Sequence, residues 1–361
     1  MSASAQQPSR ADALALEQQG RNEDAEAAWK ELAVLHPSDP EPLAHIGLLE
    51  ARRERYDQAA NYYQQALKLN PKFPGLEMNL GLAEFKAAKF PAAIHAFEAE
   101  LAQHPGDQRL TILLGMSHYG MGDYFVAIPY LQRASERDPQ NLPLRLTLAH
   151  SCLWSKQYAC VMSATREILA LAPDSAEADM LAGEALDDQG NDAGAVEQFR
   201  AAVAAGPKEP DAQFGLGYLL WKQNHFAEAA TAFAHELEND PSHLEARAYL
   251  GDCYTELAEY AKAEPELLQA VQSKTSRAMA HRDLGILYAS TGRNQQAAEE
   301  LRLAIELNPS DVAPHFRLGK VYRALGEKDK AAAEFAIASR MSRTENEALV
   351  QKISGAQTIP R

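Results

Sequence analysis

The chain has 361 residues, 46% of them hydrophobic and 24% charged, the balance of a protein that folds around buried apolar surface. Asp and Glu total 50 against 35 for Lys and Arg, and the formal charge of -15 excludes a non-specific binder of nucleic-acid phosphates. No apolar run is long enough for a membrane span, and three cysteines (Cys152, Cys160 and Cys253) are too few for a disulfide framework.

Residues 1–5 are expected to be disordered. The opening stretch, MSASAQQPSRADA, lacks a charged segment followed by an apolar one, so it is not a signal peptide. Its small polar residues would also suit an N-terminus left by cleavage. The compartment therefore stays open between cytoplasmic and periplasmic or secreted. Ser9 is placed to cap the first helix, which carries Asp12 and Ala13 where later units have an apolar residue and glycine.

From there the chain repeats every 34 residues. A proline closes each unit at Pro37, Pro71, Pro105, Pro139, Pro173, Pro207, Pro241 and Pro309, with Thr275 in the one gap. A small residue recurs at Gly47, Gly81, Gly115, Ala149, Gly183, Gly217, Gly251, Gly285 and Gly319. An alanine column runs through Ala59, Ala93, Ala127, Ala195, Ala229, Ala263, Ala297 and Ala331, with Val161 as its exception. Four residues later stands a large residue, such as Tyr63, Phe97, Leu131, Phe199, Phe233, Leu267, Leu301 or Phe335, with Thr165 in the fifth unit. Apolar spacing of three and four within each unit predicts two amphipathic helices. The small columns let their backbones approach, and the large residue is expected to fill space toward the next unit. Proline ends the second helix because it lacks an amide donor and disfavours helix in the residue before it.

With Leu-Gly pairs at 80–81, 114–115, 216–217, 250–251, 284–285 and 318–319, this pattern resembles the tetratricopeptide repeat family. Ten contiguous units fit the register, at 6–39, 40–73, 74–107, 108–141, 142–175, 176–209, 210–243, 244–277, 278–311 and 312–345. The resemblance implies an all-α fold, an α-solenoid in which antiparallel helix pairs stack into a right-handed superhelix with the first helices on its concave side. The unit from Leu142 to Ser175 departs most from the pattern. After the last repeat, Thr344 and Glu347 suit a capping box for a short C-terminal capping helix over 346–355, followed by a tail over 356–361.

Catalytic and metal signatures are missing. His235 and Glu236 do not continue into HExxH, no CxxC or phosphate-binding loop occurs, and His118 with His150 lack a third ligand. The expectation is no enzyme, no cofactor and no metal. Cys152 and Cys160 flank a predicted helical turn and would pair across it in an exported protein.

The candidate peptide-binding groove lies on first-helix residues off the stripe that faces the partner helix. It comprises Met78, Leu82 and Phe85; Ile112, Met116 and Tyr119; Leu146, His150 and Leu153; and Phe214, Tyr218 and Trp221. Between and beyond these, Met180, Glu184, Asp187, Asp188, Asp252 and Glu256 form an acidic zone, and Arg317, Lys320 and Arg323 a basic one. The expected partner is a protein or peptide, one with basic residues suiting the acidic zone. The alternative is a structural or accessory subunit of an envelope, secretion or glycosyltransferase assembly, acting or self-associating through its ends or convex face. The resemblance also disfavours chaperone-tail binding, since carboxylate-clamp members place Lys and Asn where Met78, Leu82, Ile112 and Met116 stand here.

Overall fold

The computed structural model describes the backbone of residues 8–355 and the side chains of 8–344. The expectations for 1–5 and 356–361 lie outside that range. Among the described residues there is no strand. Ten helices form one compact unit, Met1–Pro173: α1 (Arg10–Gln18), α2 (Asn22–Leu35), α3 (Pro40–Arg52), α4 (Tyr56–Leu69), α5 (Leu76–Lys86), α6 (Phe90–Gln103), α7 (Gln108–Met121), α8 (Tyr124–Arg137), α9 (Leu142–Trp154) and α10 (Tyr158–Leu171). Ten more form a second, Asp174–Arg361: α11 (Ala176–Asp188), α12 (Asp192–Ala205), α13 (Ala212–Lys222), α14 (Phe226–Asn239), α15 (Leu244–Glu256), α16 (Tyr260–Ala270), α17 (Arg277–Ser290), α18 (Asn294–Leu307), α19 (Val312–Ala324) and α20 (Lys328–Gly355). Each unit is an α-solenoid. Odd-numbered helices pack on the even-numbered helix that follows, and each even-numbered helix packs on the first helix of the next pair within its unit.

What holds a pair together is an approach too close for a side chain. A Cβ built on Gly81 would lie 2.5 Å from the Phe97 ring, one on Gly217 2.8 Å from Phe233, and one on Gly251 2.5 Å from Leu267. Phe97, Phe233 and Leu267 are fully buried. The large residue therefore seats on the glycine of its own pair, which corrects the expectation that it mainly fills space toward the next unit. Phe199 does both, covering Gly183 and reaching Gly215 of the following pair. In the fifth pair Ala149 carries the Cβ that glycine omits elsewhere, and its counterpart is the smaller Thr165. Both are buried, and the Thr165 hydroxyl donates to the Val161 carbonyl at 3.0 Å. The least regular sequence thus keeps helices as long as its neighbours by exchanging bulk across the seam.

Most first helices start after a side-chain cap. Asp39, Asp107, Asn141, Ser175, His243 and Asp311 each accept a first-turn N–H. Phe73 and Glu209 occupy that column in two pairs, and there the helices begin later, after Gly75 at φ 69° and Asp211 at φ 63°. Ser9 accepts from Asp12 N–H in a reciprocal capping box, as its position in the sequence suggests. Where Thr275 replaces proline, α16 stops early and the Thr275 and Ser276 N–H groups donate to Ser273 Oγ at 3.3 and 3.2 Å. At the C-terminal end α20 runs unbroken from Lys328 to Gly355, so residues 346–355 continue it and form no separate capping helix. Thr344 sits inside that helix, its hydroxyl donating to the Arg340 carbonyl at 3.1 Å.

Every turn inside a pair has one left-handed residue. The column is Gly20, Glu54, Ala88, Gly122, Lys156, Gly190, Asn224, Ala258, Gly292 and Gly326. A Cβ is strained at these φ values, so Ala88→Gly and Ala258→Gly are each expected to raise stability by about 0.5–1 kcal/mol. Gly81→Ala, which adds the same single carbon against Phe97, should lower it by about 1–3 kcal/mol. Urea midpoints compare the three variants directly.

Cys152 and Cys160 form a disulfide between α9 and α10, with Cα atoms 5.7 Å apart. Cys253 is free and buried, and burial pushes its thiol up to about 12. Thiol titration without reductant should therefore find no reactive thiol in the folded chain, one after unfolding, and three only after reduction.

Candidate functional site

The sequence-selected residues fall into columns on the first helices, one residue per pair. On α5, Met78 and Phe85 are half-buried against the core and Leu82 is 37% exposed. On α7, Ile112, Met116 and Tyr119 are half-buried, as are Leu146 and His150 on α9. Leu153 is the exception. It is buried, so it does not belong to an open lining. Tyr119 packs with Tyr124 and Trp154 at ring-centroid distances of 5.7 Å to each.

His118 and His150 pack on different rings. His118 stacks on Tyr130 at 5.6 Å and His150 lies against Trp154 at 5.1 Å.

In the second unit the arrangement is tighter. Phe214 and Tyr218 on α13 pack edge-on to Tyr249 of α15 at 5.9 and 5.6 Å, and Trp221 does so at 5.0 Å. On α11, Met180 and Asp187 are half-buried, while Glu184 and Asp188 are exposed. A cavity of about 260 Å³ opens between α11 and α13, bordered by Met180, Glu184, Asp187, Phe214 and Tyr218 and floored by Phe199. The structure thus brings five of the expected residues to one place. The signal that sequence reading missed is Asp211, which also borders the cavity and is detectable only from its left-handed backbone.

Asp252 corrects another expectation. It is buried, accepts Trp221 Nε1–H at 2.5 Å and pairs with the Arg282 guanidinium at 2.8 Å. Its charge is spent inside the protein and adds nothing to an acidic surface. Arg282 also binds Asp283, 2.7 Å away and almost fully buried. Glu256 is exposed and borders a neighbouring cavity of about 370 Å³ with Trp221, Arg282 and Arg317. Arg317, Lys320 and Arg323 are exposed, and Lys320 lies 4.5 Å above the Phe316 ring.

Asp211, Glu236 and His243 place their ligand atoms within 4.8 Å of one another. Each already has a structural role. Glu236 accepts the Phe214 N–H at 3.1 Å, supplying from α14 the cap that α13 lacks. His243 Nδ1 accepts the Ala246 N–H at 3.1 Å, so Nε2 carries the ring proton and donates to Asp211 at 3.3 Å. An imidazole with both nitrogens so engaged offers no lone pair to a metal.

Tetratricopeptide repeat family models match residues 10–74, 45–108, 78–141, 163–210 and 214–280. The chain belongs to the tetratricopeptide repeat family. Further models of the family match residues 118–184 and 285–326. No curated protein sequence matches the chain. The C-terminal part of a TPR repeat-containing protein from Cytophaga hutchinsonii has a similar fold, with a TM-score of 0.53 at 16% identity over 66% of this chain and 98% of that one. MamA from Desulfovibrio magneticus RS-1 gives 0.43 at 21% identity, covering 47% and 97%. YrrB, a TPR protein with an unusual peptide-binding site, gives 0.45 at 20%, covering 51% and 95%. At these identities the likeness is one of fold.

Burial raises the pKa of Asp283 well above the usual carboxylate value, an effect that the Arg282 charge opposes and Asp252 reinforces. Between the unfolded and the folded value, the folded chain therefore holds a proton that the unfolded chain has released. The stabilisation from this group is complete below the unfolded value near 3.8 and is lost as pH rises through the folded one. Asp283→Asn should thus be at least as stable as the wild type at neutral pH, gaining up to about 1 kcal/mol. The gap should close on acidification, as read from urea midpoints across pH.

Proposed function

We propose that this tetratricopeptide repeat protein is a non-enzymatic interaction scaffold that binds a peptide segment of a partner protein on its first-helix faces. One observation carries the reading. Met78, Ile112 and Leu146 in the first unit, and Met180 and Phe214 in the second, are all apolar, recur at a 34-residue interval, and are all half-buried. Residues needed only for stacking, such as Leu114 and Phe233, are sealed completely. Half-covered methionine, aliphatic and aromatic side chains retain apolar area for a ligand, and the methionines adapt their shape to one. An extended or helical segment laid across successive first helices of one unit would meet one such residue per repeat. The ionisable groups nearest these faces serve as caps and ion pairs, in keeping with binding rather than catalysis.

A second reading, attachment through the second-helix face as a structural or accessory subunit of a larger assembly, has its own observation. A cleft of about 690 Å³ on the first unit is lined by Phe125, Val126, Pro129 and Tyr130, with Phe125 67% exposed. Selection from a phage-displayed random peptide library separates the two. The wild type should enrich peptides that bind at least about tenfold more weakly to a Leu82→Asp/Met116→Glu variant or to Tyr218→Ser, at unchanged helicity. Phe125→Asp should bind them normally. Loss with Phe125→Asp alone would replace the first reading with the second.

A further inference from the structure

The geometry points to a recognition pocket for one basic side chain, lysine or arginine, in the cavity between α11 and α13. This rests on the peptide-binding reading and specifies what one position of the peptide must be.

The cavity holds about 260 Å³, room for several waters at about 30 Å³ each or for one long side chain. Its walls differ in chemistry. Phe199, Phe214 and Tyr218 contribute aromatic surface and Met180 a flexible thioether, while Glu184, Asp187 and Asp211 bring three carboxylates to the border. Two features explain why the space exists. Phe199 is drawn down between Gly183 and Gly215, since a Cβ on Gly215 would lie 2.2 Å from its ring. The first helix of that pair also starts late, at Ala212, which leaves Asp211 at the border where another pair would have helix.

The charges of Asp187 and Asp211 are not fully cancelled. Lys222 Nζ pairs with Asp187 at 2.5 Å and lies 3.7 Å from Asp192, so one cation is shared by two carboxylates. The partner of Asp211 is His243, whose Nδ1 accepts a backbone N–H; the ring is therefore a neutral donor and leaves the Asp211 charge in place. An acidic ligand would be repelled, and an apolar one would desolvate carboxylates without replacing their water. A lysine or arginine side chain satisfies both walls. Its methylene stem lies along Met180 and the rings, its charge meets the ring faces, and its donors reach the carboxylates. The basic residues Arg317, Lys320 and Arg323 lie on α19 and do not border this cavity.

Methionine methyl NMR tests the assignment on the full chain, because Met180 lines the cavity while Met78 and Met116 lie on the other unit. The probes are the blocked pentapeptide Gly-Leu-Arg-Leu-Gly, its lysine analogue, and its citrulline and glutamate analogues. The arginine and lysine peptides should shift the Met180 methyl saturably, and more weakly as salt rises. The citrulline and glutamate peptides should leave it in place. A Glu184→Gln/Asp211→Asn variant, exposed at both positions and suited by asparagine to the left-handed backbone at 211, should weaken the arginine peptide about tenfold. Equal shifts from arginine and citrulline, no Met180 response, or unchanged affinity in the variant would each overturn the pocket. If the phage selection still yields peptides sensitive to Tyr218→Ser, the scaffold reading survives that loss. Failure of the selection itself removes the reading beneath it.

Discussion

The structure depends on one contact made in pair after pair: a large side chain on the second helix pressed against the backbone of a glycine on the first. In the glycine pairs the gap between them is smaller than a methyl group, whereas the first pair sets Ala13 with Trp29, both fully buried. Where alanine enters at Ala149, the partner shrinks to Thr165. This seam fixes the distance between helices, and with it the position of every side chain on the outward face of the first helix. Recognition on the proposed face would therefore rest on residues that take no part in the seam but inherit their placement from it.

The seam was legible in the sequence because it repeats. Gly81 and Phe97, or Gly217 and Phe233, stand out once the 34-residue register is found, and helix-forming periodicity fills the space between. The left-handed turn column was not legible in the same way. Half of its members, Glu54, Ala88, Lys156, Asn224 and Ala258, are not glycine, so composition hides a conformation that the tertiary packing enforces. The late starts of α5 and α13 were missed for a related reason. They follow from the loss of a cap at Phe73 and Glu209, in a column where six other first helices have one. At the far end, a local capping pattern at Thr344 lost to the continuing helix of α20, where the hydroxyl finds an acceptor one turn back.

The candidate site was legible as a face and less so as a set of residues. Spacing selects which residues point away from the paired helix, and the half-burial of Met78, Ile112, Leu146, Met180 and Phe214 agrees with that selection. Spacing cannot tell whether a neighbouring turn or charge will then cover a given side chain. Leu153 is buried, and Asp252 is consumed by Trp221 and Arg282. Both sit in columns where other pairs stay open. A burial pattern that depends on neighbours thirty residues away is a tertiary property, and no single repeat carries it.

The acidic cavity shows how far a repeat can depart from its neighbours without disturbing the stack. The sixth pair keeps Gly183 and Phe199 at the seam and changes only what faces outward, while the seventh adds Gly215, which lets that same Phe199 tilt across both pairs. A single ring thus serves as structural seat and as cavity floor. Substituting it for a smaller residue would loosen the seam before it altered recognition, whereas Glu184 and Asp211 at the border can change at little structural cost. Specificity in such an array is therefore expected to reside in the carboxylates and thioether at the border, since the aromatic floor is already fixed by the requirement to stack.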